Sequence, residues 1–128
     1  MSIVKEKFQV EFPVHASASL IFEYISTSSG LSEWFADKVV EHQEEFTFNW
    51  SGQEETAHLI RYKEDNFVRF RWEEDEDSKY FFEIAIIQDE ITNDVEILIT
   101  DFAESNDIEE SKLYWENKID DLKKIIGS

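Results

Sequence analysis

A chain of 128 residues that is 41% hydrophobic and 15% aromatic, with eleven Phe and four Trp, has the means to bury a real core and does not belong with disordered chains. Thirty Asp and Glu against twelve Lys and Arg leave a formal net charge of −18, a surface that repels nucleic-acid phosphate and anionic lipid headgroups and argues against both as partners. With no cysteine, disulfides and thiolate chemistry are excluded.

Phe8, Val10, Phe12 and Val14 alternate with Lys7, Gln9, Glu11 and Pro13. Period two with one apolar face predicts a half-buried strand, and Pro13 places it at a sheet edge. Ser17 or Ser19 is a capping residue for the helix that follows, in which Leu20, Ile21, Tyr24 and Ile25 form an apolar stripe. Ser26 to Gly30 is expected to break that helix, and Leu31 to Phe35 to add another turn or two.

Strands are predicted from there on. Phe46, Phe48 and Trp50 alternate with polar residues, and Ser51-Gly52 makes a tight turn. Further strands are expected over Thr56–Tyr62, Val68–Trp72, Tyr80–Gln88 and Val95–Phe102, with a short one around Val39-Val40. The last two are apolar on both faces, which places them near the centre of the sheet. A long helix closes the chain, with Asp107 and Glu110 as a capping-box-like start. Ile108, Trp115, Ile119, Leu122 and Ile126 form its seam, and Gly127 its end. That seam needs a partner, and the apolar face of the sheet is the one available. One domain over residues 1–128 is expected.

The order of strand, two short helices, about six strands and a long helix, a sheet of six to seven strands in all, resembles the START-like, helix-grip superfamily (SRPBCC). Within it, Leu31-Ser32-Glu33-Trp34-Phe35 is similar to the Leu-x-x-Trp-Phe segment of the group named for the activator of the Hsp90 ATPase. Phe48-Asn49-Trp50, Val68 to Trp72, and Trp115 followed by Leu122 are similar as well. Ser29 to Asp37 and Ile99 to Glu104 also resemble short bacterial single-domain START-like proteins. The resemblance implies an α+β fold in which a curved antiparallel sheet grips the terminal helix, leaving room for an apolar cavity. It implies function poorly, since the superfamily includes ligand carriers, cyclases and chaperone cofactors.

Trp34, Phe35, Phe48, Trp50, Phe70, Trp72, Phe82 and Trp115 are the candidate ligand-binding residues, acting by apolar contact alone. Equally, these rings fill a solid core, and Trp34 and Phe35 plug the end of the sheet. Volume decides, and sequence does not report volume. Asn49, His58, Tyr62, Thr100, Asp101 and Tyr114 are polar candidates by type, Thr100 and Asp101 being read as a strand-end cap or turn contact. His15, His42 and His58 match no metal spacing. The run Glu73 to Asp77 lacks the glycine and terminal glutamate of a calcium loop and reads as a solvated hairpin tip. Arg69 and Arg71 are expected to face outward.

The leading reading is a non-enzymatic START-like domain that binds a small hydrophobic ligand between sheet and final helix. It has no cofactor, metal or catalytic residue. The alternative is a protein-interaction module with an acidic exterior and a filled core, its partner unknown. An enzyme of cyclase or hydratase type ranks third. The N-terminus lacks the features of a signal peptide and no run is long enough to span a membrane, so a cytoplasmic location is expected.

Overall fold

Seven strands and three helices follow from these patterns in the computed structural model, which describes residues 4–127. In chain order they are β1 (Glu6–Val14), α1 (Ala18–Ser26), α2 (Ser28–Trp34), β2 (Lys38–His42), β3 (Glu45–Trp50), β4 (Gln53–Lys63), β5 (Phe67–Trp72), β6 (Phe82–Gln88), β7 (Val95–Ala103) and α3 (Ile108–Ile126). The strands form one antiparallel sheet in the order β1-β7-β6-β5-β4-β3-β2. β1 and β2, joined in sequence only by the two short helices, are therefore its opposite edges, with Pro13 on an edge strand as its missing N–H requires. The α+β helix-grip architecture holds.

α3 lies against β1, β7 and α2, while α1 covers β5 and β6. Trp115, Ile119 and Leu122 are buried on the helix seam, in one core with Phe8, Phe12, Ile97 and Ile99 from β1 and β7. Gly127 ends the helix at φ +77°, where a residue without Cβ is favoured, and its N–H donates to the Lys123 carbonyl.

Five expectations need correction. Ser26 to Gly30 does not form a five-residue break: only Thr27 separates the helices, ending α1 and capping α2. Its Oγ1 accepts from the Gly30 N–H at 2.9 Å and donates to the Glu23 carbonyl at 2.7 Å. Gly30 is a packing residue, because a Cβ there would overlap the Glu23 carbonyl and lie 2.6 Å from the Tyr24 Cα. Asp107 gives no side-chain cap, since it ends a short 3-10 turn with helical backbone (φ −106°, ψ −3°) instead of the extended conformation that capping needs.

The middle strand is β5, with β6 and β7 toward the β1 side. The two-faced apolarity of β6, β7 and the residues leading into them is partly explained by an aromatic patch on the outer surface. Phe81 and Tyr80 contact Phe102 at 5.1 and 5.3 Å, and the Arg69 guanidinium lies 4.2 Å over Phe81. Tyr80 and Phe81 precede β6, and the Tyr80 carbonyl accepts from Arg71 Nε at 2.8 Å. Finally, the acidic run is not wholly solvated: Asp75 is partly buried and pairs with Lys5 at 3.4 Å.

Candidate functional site

The site begins with a hairpin. Ser51 and Gly52 both have positive φ (51° and 89°), as the two-residue turn that suits strand twist requires. That turn sets the register of β3 on β4: Trp50 opposite Gln53, Phe48 opposite Glu55, Phe46 opposite Ala57. Phe46, Phe48 and Ala57 are fully buried, so Gln53 and Glu55 share the core-facing side with them, one strand turn nearer the rim.

Five rings then close a circuit. Phe35, at the end of α2, lies 5.7 Å from Trp50; Trp50 is 6.1 Å from Trp72; Trp72 is 5.2 Å from Phe82; Phe82 is 5.8 Å from Trp115; and Trp115 stacks back on Phe35 at 5.6 Å. Phe35 and Phe82 also stack across the circuit at 5.8 Å. Each spacing falls within the favourable range for aromatic pairs. Two indole N–H groups are already engaged: Trp50 Nε1 donates to the Phe35 carbonyl at 2.8 Å and Trp115 Nε1 to Asp101 Oδ2 at 2.9 Å. The circuit lines an open cleft of about 410 Å³, completed by Gln53, Glu55, Asp101 and Tyr114.

Asp101 is the chemically unusual member. Register with Phe8 turns it toward the core side of β7, where its carboxylate accepts from Trp115 Nε1 and, at 2.7 Å, from the Phe102 N–H. Burial pushes its pKa up to about 6 from the ordinary 3.8. The two hydrogen bonds and the Lys5 charge pull it back in part, and Asp75 adds to the rise. Tyr114 is pushed up to about 12, first by burial and then by the negative charges of Glu55 and Asp101.

Of the eight sequence candidates, the structure gathers Phe35, Trp50, Trp72, Phe82 and Trp115 around the cleft. Phe48 and Phe70 are completely buried in the packed layer beside it, 6.2 Å apart with Phe48 5.6 Å from Trp72. Trp34 turns elsewhere: its Nε1 donates to the Tyr24 carbonyl at 2.8 Å, and it borders a separate groove with Lys118 and Asp121. Among the polar candidates, Asp101 and Tyr114 reach the cleft. Thr100 is buried and accepts from Gln9 Nε2 at 3.0 Å, and Asn49 accepts from the Gly52 N–H in the turn. Reading Thr100 and Asp101 as strand-end or turn residues is thus corrected, because β7 runs on to Ala103.

Gln53 and Glu55 were missed because β4 was expected to begin at Thr56. The two-residue turn, followed by alternation back from Ala57, is the signal that finds them. Arg69 faces outward to Glu83 at 2.8 Å. Among the described residues no cluster of His, Asp and Glu is arranged to hold a metal ion.

Comparison with known proteins bears on this geometry. A family model described as a START-like superfamily domain matches residues 1–128, and the chain belongs to that superfamily. A solved Bacteroides fragilis protein is 33% identical, with 94% of this chain and 90% of that one covered and a TM-score of 0.69. The Aha1 dimer of Colwellia psychrerythraea is 15% identical over 94% and 96% of the two chains, with a TM-score of 0.75. A Cytophaga hutchinsonii protein is 16% identical over 99% and 97%, with a TM-score of 0.73. At those lower identities the likeness is one of fold. No curated protein matches the chain.

Proposed function

We propose that this START-like chain acts as one non-enzymatic cytoplasmic domain that binds a small hydrophobic ligand in the cleft between the sheet and α3. START-like domains serve in general as ligand- or protein-binding modules, and no helix among the described residues is long and apolar enough to cross a membrane. The observation that carries the reading is the aromatic circuit. Five large rings converge on an open space of about 410 Å³, within the range of small-ligand sites, where close packing would otherwise have been favoured. Their role is contact and exclusion of water. The alternative, an interaction module with a filled interior, draws support from Phe46, Phe48 and Phe70, which are fully buried beside the cleft.

A neutral solvatochromic dye such as Nile red distinguishes the two readings. Binding to the cleft gives a blue-shifted emission that Trp72→Ala weakens by roughly tenfold, the scale of one lost large apolar contact. Phe81→Ala, on the outer surface, leaves that emission unchanged. Absent binding, or equal loss in both variants, refutes the cleft as a ligand site.

A further inference from the structure

The cleft is apolar in its walls and one-signed in its charge. Of its nine lining residues, Glu55 and Asp101 are acids and none is Lys, Arg or His. The neighbouring cations are committed elsewhere. Lys5 pairs with Asp75 at 3.4 Å in an adjoining pocket. Lys118 lies 5.8 Å from the Tyr114 ring but borders the groove between α2 and α3.

Two of the cleft's three indole N–H groups, those of Trp50 and Trp115, are spent on Phe35 and Asp101, which leaves an anion only neutral donors and no cation. A carboxylate or phosphate entering here would meet two like charges. A neutral ligand would leave the desolvated Asp101 with only Lys5, already paired with Asp75, to oppose its charge. A cation is offered ring faces and carboxylates together, and the net charge of −18 draws it in.

Resting on the ligand-cleft reading above, we propose that the cleft selects a small organic cation. The ligand is an aryl- or alkyl-ammonium whose apolar body lies against the Phe35–Trp50–Trp72–Phe82–Trp115 circuit and whose charge sits between Glu55 and Asp101.

Three probes of one shape class test this: benzyltrimethylammonium, its neutral isostere neopentylbenzene, and benzenesulfonate. Each is titrated into isotopically labelled protein while the indole N–H resonances are followed. The cation is expected to bind at least about tenfold tighter than the neutral isostere, the scale of a desolvated cation–π contact, and the sulfonate not to bind. Raising salt from about 0.05 to about 0.5 M should weaken the cation alone. Glu55→Gln and Asp101→Asn should each reduce the preference for the cation over its isostere several-fold.

Equal binding of cation and neutral isostere overturns the charge assignment while leaving the apolar cleft standing. If no probe moves the Trp50, Trp72 or Trp115 indoles, both readings fall. Shifts confined to the acidic run Glu73 to Asp77 mean diffuse counterion binding and also refute the proposal.

Discussion

The two halves of the sheet solve the same problem differently. Toward β1 and β7, the second half of α3 lays Ile119 and Leu122 onto Phe8, Phe12, Ile97 and Ile99, and Ile119, Leu122, Ile97 and Ile99 are completely excluded from solvent. Toward β3, β4 and β5, the partners are Phe and Trp, and the last ring the helix supplies is Trp115. Branched aliphatic chains interdigitate to fill space. Planar rings that stack on one another form a wall, and a wall has an open side. The closed half is therefore filled throughout, and the open half is packed at Phe46, Phe48 and Phe70 but keeps a cleft at its rim.

Removing aliphatic volume from the closed half should have the largest effect. Ile119→Ala deletes three heavy atoms at a site with no solvent exposure. The expected loss is about 3–4 kcal/mol, the transfer term plus a cavity that the rigid sheet cannot collapse. Urea unfolding with an unchanged m-value measures it. A loss below about 1 kcal/mol would mean that this half repacks freely and that the contrast with the open half is false.

Next comes the joint that carries Phe35 to the cleft. At Gly30 an added Cβ meets backbone atoms of Glu23 and Tyr24, which cannot swing aside as a flexible side chain would. Gly30→Ala should cost about 2 kcal/mol, in the range of core overpacking, even though alanine is the better helix former. Because α2 must shift, the indole resonance of Trp50, bonded to the Phe35 carbonyl, should move as well. A stabilised protein with an unmoved Trp50 signal would show that the helices have slack.

How much of this was legible in the sequence divides along the same line. Alternation at Phe8 to Val14, the paired Phe46/Phe48/Trp50 and Val68/Phe70/Trp72, and the seam of α3 are period-two and helical-period signals that reach a reader directly. So the strands, the terminal helix and the rings of the cleft were readable. The cleft itself was not, because openness depends on how rings tilt against each other. Phe48 and Trp72 share one apolar face in sequence, yet only Trp72 lines the space. Gln53 and Glu55 were invisible for another reason: polar residues on a core-facing side read as loop until the Ser51-Gly52 turn fixes the register. Asp101 is the same case on β7, a carboxylate tolerated inward because Trp115 Nε1 meets it.

The pH-dependent effect sharpens the comparison most, since it reads a titrating group on the border between the halves. The native Asp101 holds its proton up to a pKa of about 6, against an ordinary 3.8. Between those values the native state binds more protons than the unfolded chain. Stability therefore falls as pH rises through that window. The contribution is fully present below pH 3.8 and is lost above about 6, amounting at most to about 2–3 kcal/mol.

The large negative charge of the chain pushes in the same direction, so wild type alone proves nothing. Asp101→Asn removes the titration and keeps one acceptor oxygen, enough for Trp115 Nε1 or the Phe102 N–H but not both, a loss that does not depend on pH. Lys5, Asp75, Glu55 and Tyr114, the charged or titratable groups that face Asp101, are untouched. Near pH 4 the variant should be no more stable than wild type. Between pH 4 and pH 7.5 the variant should gain about 2 kcal/mol relative to wild type, measured by urea unfolding at each pH. A difference that stays flat across that range would mean that water reaches the Asp101 carboxylate freely and that the cleft is not desolvated at its inner end. If the variant gains stability while losing its preference for the cationic probe, then the carboxylate is held there at a cost to folding, and ligand binding is what offsets it.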